Sequence, residues 1–207
     1  MPMSDDTWEA LKATPIAEMR RRAAIIHTLV DVSPTAVEGA ERFAWNDSGG
    51  QSAVWYFAPD GRAMLLTFDH ESDLNLYAEG TYALQESLYG GVPADLVQLV
   101  RNRPENYESL NLTEAGTDET IHYAGGVFWF DGKQWRAAEG FLDHCEQEGL
   151  DAMAESGFGY CLDDYLLGQE FTPEAFVAYR DADNWYDSAE EKDQALAATR
   201  EIFIRHG

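Results

Sequence analysis

The chain has 207 residues, of which 45% are hydrophobic and 13% aromatic, so it has enough apolar material to bury a core, which argues against global disorder. Its 38 acidic residues far outnumber its 14 lysines and arginines, which gives a formal net charge of -24 and an isoelectric point near 4.3. A field of that sign repels nucleic acids and anionic membranes, so we expect neither as a partner, and it favours a basic protein.

Three explanations of the acidity are open. Lysine occurs only at positions 12, 133 and 192, which suits adaptation to high salt inside the cell. A host-wide bias towards acidic residues, with arginine preferred over lysine, would give the same composition. The third explanation is an acidic face that has a function of its own.

The length favours a single domain over residues 1–207. The N-terminal sequence MPMSDDTWEALK is acidic and does not resemble a signal peptide, and no apolar run approaches the ~20 residues of a membrane span. We therefore expect a cytoplasmic protein with reduced thiols. Cys145 and Cys161 lack the spacing of a zinc or redox motif, so we expect buried thiols and no metal.

A helical N-terminal region is predicted over about residues 4–30. Ser4 is a suitable N-cap, and the two aspartates after it suit the positive end of the helix dipole. Pro15 interrupts the apolar pattern, which predicts two helices or a kink. The basic cluster Arg20–Arg22 is expected to pair with acids of the same chain, and a phosphate or carboxylate site is the alternative.

Two β-hairpins are predicted after a first strand at residues 42–45. Residues 52–69 form two β-rich runs around Pro59-Asp60-Gly61, and residues 126–136 turn at Asp131-Gly132. The hairpins are either a duplicated unit or neighbours in one antiparallel sheet, and we prefer the second interpretation.

Between the hairpins, helical spacing predicts helices over residues 82–88 and 94–100, with Pro93 at the start of the second. Residues 103–120 are polar and predict a loop with a short strand around Leu110.

The mixed α+β region, residues 40–136, is followed by an acidic helical region, residues 137–207, which carries over half of the net charge. Helices are predicted there over residues 138–154, 163–167, 173–180 and 188–205. Thr172 and Ser188 are the expected caps of the last two. The segment DADNWYD, residues 181–187, lacks the glycine of a calcium-binding loop and is predicted to be an interhelix loop. The fold class is therefore α+β, an antiparallel sheet of two aromatic-rich hairpins packed by helices, with a helical C-terminal third.

One polar segment is a candidate active site. Asp69, His70 and Glu71 directly follow the second strand of the first hairpin. A histidine between carboxylates can act as a general base or bind zinc or manganese, so a small hydrolase or metal-dependent enzyme is one alternative. We prefer a structural role, with Ser72 or Asp73 as a cap of the next segment, because the chain has no motif of a nucleophile, a phosphate loop or a metalloprotease. We expect no catalytic residue and no cofactor.

The aromatic residues of the hairpins are candidates for either core or interface. Alternation along each strand places large rings on both faces of the sheet. If helices cover both faces, the rings are core, and an uncovered face would be an aromatic patch ringed by acids, which suits a protein interface. The candidate partner-binding residues are Trp55, Phe57, Trp129, Trp135, Asp163 and Asp164.

The hairpin sequences VWYFAPDGRAMLLTFDHES, residues 54–72, and VFWFDGKQW, residues 127–135, resemble segments of bacterial immunity proteins of toxin–antitoxin and polymorphic-toxin systems. The resemblance covers about a third of the chain and carries over no catalytic residue. It implies a small acidic α+β protein that binds and neutralises a basic toxin. We therefore predict a non-enzymatic binding protein for a basic partner, with the enzyme and a housekeeping protein of host-wide acidity as alternatives.

Overall fold

The computed structural model describes residues 6–30, 32–47, 49–75, 81–103, 110–182 and 184–207. The strands of this part of the chain are β1 (Thr35–Val37), β2 (Ala40–Asn46), β3 (Gln51–Phe57), β4 (Ala63–Asp69), β5 (Asn111–Thr113), β6 (Thr120–His122), β7 (Gly126–Phe130) and β8 (Trp135–Ala137). The α-helices are α1 (Asp6–Ala13), α2 (Ile16–Leu29), α3 (Tyr82–Leu88), α4 (Ala94–Val97), α5 (Glu139–Glu148), α6 (Ala152–Glu155), α7 (Phe158–Cys161), α8 (Pro173–Ala182) and α9 (Ala189–Arg205). The α+β class and the helical C-terminal third are confirmed.

Six strands form one antiparallel sheet in the order β1-β2-β3-β4-β7-β8. Strand β4 pairs directly with β7, with Leu65 opposite Phe128, so the two hairpins lie side by side. The expectation that they share a sheet is confirmed. Strands β5 and β6 form a small separate sheet, and β5 begins one residue after the strand position expected at Leu110.

Each hairpin turn is closed by an aspartate and a glycine. Asp60 and Asp131 each accept a hydrogen bond from the backbone N–H two residues on, at 3.1 and 2.8 Å. Gly61 and Gly132 have φ angles of +86° and +94°, which residues with a Cβ rarely adopt. The two Asp-Gly pairs therefore form the tight turns that connect the strands of each hairpin.

One face of the sheet packs against α1, α7 and the turn that follows α7. The ring centroid of Phe128 lies 5.5 Å from that of Trp8 and 4.8 Å from that of Phe158. Trp55 donates its indole N–H to the hydroxyl of Tyr165 at 2.7 Å. The N-terminal and C-terminal parts of the chain thus cover the same face.

The opposite face of the sheet is also buried. Val54, Tyr56 and Leu66 alternate with the residues of the first face, and each is at most 1% exposed. Tyr89, directly after α3, is buried there and donates its hydroxyl to the carbonyl oxygen of His122 at 2.8 Å. Both faces are therefore covered, and the large rings of the hairpins belong to the core.

This burial corrects part of the predicted interface. Trp55, Phe57 and Trp135 are 0%, 6% and 4% exposed. Because other parts of the chain cover both faces of the sheet, these three rings have no surface to offer a partner. Trp129 is half-buried, with the guanidinium carbon of Arg136 at 5.9 Å from its ring centroid, and its role in binding stays a prediction.

The N-terminal helices confirm the effect of Pro15, which separates α1 from α2. The expected cap Ser4 lies outside the described residues. The basic cluster on α2 is paired within the chain, as predicted. Arg20 Nε lies 2.5 Å from a carboxylate oxygen of Glu41. Buried Arg22 donates to the carbonyl oxygen of Tyr165 at 2.6 Å, which fixes α2 against the C-terminal region.

The C-terminal helices begin at the expected caps. The side chains of Thr172 and Ser188 each accept a hydrogen bond from the backbone N–H three residues on. The predicted helix over residues 138–154 is instead α5 and α6, because α5 ends at Gly149 in the left-handed conformation with φ +72°. The helix predicted at residues 163–167 is a single 3-10 turn.

Candidate functional site

The polar segment after β4 is a turn. Asp69 accepts hydrogen bonds from the side-chain amide of Gln51 at 2.9 Å and from the backbone N–H of Glu71 at 3.0 Å. The imidazole of His70 lies against Gly50, where an added Cβ would be 2.3 Å from its Nδ1 atom. His70 and Glu71 are exposed. Asp69 thus stabilises the end of the hairpin, and a catalytic role for the three residues stays an untested alternative.

Metal ligands and thiols are the other groups in the described ranges that could carry chemistry. No three or more His, Cys, Asp or Glu side chains there are arranged to hold a metal ion. Cys145 and Cys161 are buried and not joined in a disulfide. Burial raises the pKa of Cys145 to about 11 and that of Cys161 to about 12, so both thiols stay protonated at neutral pH and act as packing groups.

A cleft of about 360 Å³ opens where the end of β2 meets the C-terminal helices. We call it the aromatic–acidic cleft. Its lining residues are Val30, Trp45, Asn46, Asp47, Tyr160, Asp163, Asp164, Tyr179, Arg180 and Trp185. Four of them have aromatic rings, and three carboxylates against one guanidinium leave two negative charges in the lining.

Several separate stretches of chain build this cleft. Val30 directly follows α2, and residues 45–47 end β2 and begin the turn after it. Tyr160 lies on α7, and Asp163–Tyr165 form the 3-10 turn after it. The end of α8 and the loop that contains Trp185 complete the wall.

Asp47 fixes one side of the cleft. Its Oδ1 atom accepts hydrogen bonds from the backbone N–H groups of residues 49–51, at 2.7, 3.0 and 3.0 Å. Its Oδ2 atom accepts one from the hydroxyl of Tyr160 at 3.3 Å. Partial burial and the carboxylates of Asp47 and Asp163 raise the pKa of Tyr160, so its hydroxyl is a neutral donor.

Arg180 is fixed in another part of the lining. Its Nη2 atom lies 2.8 Å from Oδ2 of Asp164, and the two side chains are only 15% and 16% exposed. Its guanidinium carbon is 4.8 Å from the ring centroid of Phe176 and 4.6 Å from that of Trp185. The inner wall therefore already contains a guanidinium held by aromatic faces and a carboxylate.

The mouth of the cleft presents aromatic rings to solvent. Tyr160 is 54% exposed and Trp185 is 61% exposed, next to the exposed Asp163. Large rings at the surface beside carboxylates suit a partner that is both cationic and partly apolar.

Only part of this site is indicated by the sequence. Asp163 and Asp164 are candidate partner-binding residues and lie in the cleft, whereas Tyr160 and Trp185 are not among the candidates. The signal for Trp185 was a large ring within the acidic segment DADNWYD, which the sequence predicts only to be a loop.

The negative charge of the surface reflects the pairing of most basic side chains with acids of the same chain. At least eleven of the 14 lysines and arginines form an ion pair with an acid of the same chain. Because the basic side chains are neutralised internally, the surplus of acids sets the sign of the outward field.

Comparisons with protein-family models, curated proteins and solved structures gave no match to this chain. None of the described helices is both long and apolar enough to cross a membrane. The geometry and charge of the cleft are therefore the features that indicate a function.

Proposed function

We propose that the protein is a non-enzymatic binding protein that engages a basic protein partner through the aromatic–acidic cleft, in the manner of an immunity protein or inhibitor. The observation that carries the proposal is the 61% exposure of Trp185 in a cleft whose lining has two surplus negative charges. Tryptophan is enriched at interface hot spots because its large ring gains much contact area when a partner covers it.

The net charge of the whole chain supports a basic partner. A charge of -24 attracts a basic protein over distances longer than a contact, and it raises the rate of association at low salt. Binding should therefore weaken as salt rises, because the exposed charges are screened.

A host-wide acidic bias would produce the same net charge. It would not by itself place exposed aromatic rings among the carboxylates of one cleft. The arrangement of Tyr160, Asp163 and Trp185 therefore favours a binding protein over a housekeeping protein whose acidity has no function.

The enzymatic alternative rests on Asp69, His70 and Glu71. The hydrogen bonds of Asp69 to Gln51 and Glu71 fit the stabilisation of a turn, and the imidazole of His70 lies against the backbone of Gly50 in the same turn. We therefore place the function at the cleft and not at this segment.

Capture of the partner tests the proposal. Immobilised protein is loaded with lysate of the source cells and eluted with a salt gradient, in parallel with an Asp163→Lys/Trp185→Ala variant and an Asp118→Lys control on the exposed β5–β6 loop. We expect one basic protein to elute at high salt from the wild type and the control, and to be lost from the cleft variant. Equal retention by all three proteins, or no basic protein on any of them, would overturn the proposal.

A further inference from the structure

Arg180 shows which cation the inner wall of the cleft accommodates. Its guanidinium lies within 4.8 Å of the ring centroids of both Phe176 and Trp185, and it pairs with Asp164. Stacking on aromatic faces with a carboxylate at the edge is the environment that a planar guanidinium prefers.

The outer part of the cleft repeats these elements. Arg180 approaches the ring of Trp185, yet this residue is 61% exposed, so much of its surface still faces the opening. Tyr160 adds a second exposed ring, and Asp163 an exposed carboxylate. Arg180 pairs with Asp164, and the carboxylates of Asp47 and Asp163 also belong to the lining of the cleft.

Size and hydration select the type of side chain. The volume of about 360 Å³ lies near the lower end of ligand cavities, which span roughly 300–1,000 Å³, so it suits one long side chain. A guanidinium is more weakly hydrated than an ammonium and stacks on rings, so entry into an aromatic cleft costs less for arginine than for lysine.

We propose that the aromatic–acidic cleft takes one arginine side chain of the partner, which stacks on Trp185 and pairs with Asp163. The inference rests on the proposed function and specifies which chemical group of the basic partner is recognised. Stacking together with pairing makes the cleft selective for arginine among cations, whereas the general acidity of the protein attracts any basic surface.

Fluorine NMR of protein labelled with fluorotryptophan measures this selectivity. The chain has 6 tryptophans, and the signal of Trp185 is assigned with a Trp185→Phe variant. N-acetyl-arginine amide, its lysine analogue and its uncharged citrulline analogue are titrated in turn. We expect a saturable shift of the Trp185 signal with arginine, at least about threefold weaker binding of the lysine analogue, and no saturable shift with citrulline. The buried Trp55 signal should not move.

Asp163→Asn should weaken arginine binding about fivefold, whereas the matched exposed change Asp118→Asn should leave it unchanged. Equal shifts with arginine and citrulline, equal affinities for arginine and lysine, or equal effects of the two variants would overturn the arginine assignment. If the arginine assignment fails while the captured partner is still lost from the cleft variant, the proposed function stands with another recognised group. If that partner is retained by the cleft variant, both proposals fail.

Discussion

At the scale of single residues, one buried hydrogen bond connects the sheet to the cleft. The indole N–H of Trp55 on β3 donates to the hydroxyl of Tyr165 at 2.7 Å, and the two ring centroids are 5.3 Å apart. Burial raises the pKa of Tyr165 well above its ordinary value, so the hydroxyl stays neutral. Tyr165 ends the 3-10 turn that carries Asp163 and Asp164, so this bond in the core also positions two carboxylates of the cleft.

Removal of the Tyr165 hydroxyl should destabilise the protein. Tyr165→Phe leaves the buried N–H of Trp55 without its acceptor, and we expect a loss of about 1–3 kcal/mol in the free energy of unfolding, measured by urea denaturation. Tyr160→Phe is the matched control, because its hydroxyl makes a longer bond of 3.3 Å near solvent. Equal stabilities of the two variants would show that the core bond contributes nothing.

His122 should make the stability depend on pH. It is 1% exposed, and burial, with the nearby Arg42 as a smaller cause, lowers its pKa from 6.5 to about 3. Between these values the unfolded chain binds a proton that the folded chain does not. The contribution of neutral His122 to the free energy of unfolding is therefore fully present above about pH 6.5 and is lost as the pH falls towards 3.

This residue should account for a loss of about 2 kcal/mol between pH 8 and pH 5. The readout is the slope of unfolding free energy against pH, obtained from urea denaturation at each pH. His122→Gln removes the titrating group, so its slope should be shallower whatever its absolute stability. A slope equal to that of the wild type would contradict the assignment.

At the scale of elements, a glycine lets helices α3 and α5 approach closely. The backbone N–H of Gly140 on α5 donates to the carbonyl oxygen of Gly90 at 3.1 Å. A Cβ added to Gly140 would lie 1.8 Å from the carbonyl oxygen of Ser87, which ordinary structures do not allow. The helices can pack in this way only without a side chain at that position.

Gly140→Ala should therefore have two opposing effects on stability. Alanine in a helix gains about 1 kcal/mol over glycine, but the clash with the backbone of α3 should cost about 1–3 kcal/mol or more, since a backbone atom cannot move aside as a flexible side chain does. We expect net destabilisation, seen as a lower urea midpoint. A higher midpoint would show that α3 and α5 can move apart at no cost.

At the scale of the whole molecule, the surplus of acids opposes folding. The net charge is -24, and the compact state brings these charges closer together than the unfolded chain does. Exposed ion pairs offset little of this repulsion, because each contributes about 0–1 kcal/mol.

Salt should therefore stabilise the protein. Raising sodium chloride from about 0.01 M to about 0.5 M shortens the screening length severalfold and weakens repulsion among the acids. We expect the Tm, measured by circular dichroism, to rise over this range. A constant or falling Tm would show that local ion pairs outweigh the repulsion of the net charge.

Local patterns predicted the elements well and the site poorly. The Asp-Gly turns at residues 60–61 and 131–132 and the caps Thr172 and Ser188 are short-range signals, and each acts where its residues predict. The cleft depends on contacts such as that between Asp47 and Tyr160, which are 113 positions apart, so no local pattern encodes it. Alternation places rings on both sheet faces but does not say whether both faces are covered, which is why the sequence leaves Trp55 a candidate for either core or interface.

Binding of a capped arginine-rich peptide, measured by isothermal titration calorimetry at one fixed salt concentration, tests the role of the cleft most directly. The peptide is titrated into the wild type, an Asp163→Asn/Trp185→Ala variant and the Asp118→Asn control. We predict a Kd at least about tenfold weaker for the cleft variant, equivalent to about 1.4 kcal/mol, and no change for the control. Equal Kd values for all three proteins would contradict binding at the cleft, because the peptide would then be bound by the acidic surface in general.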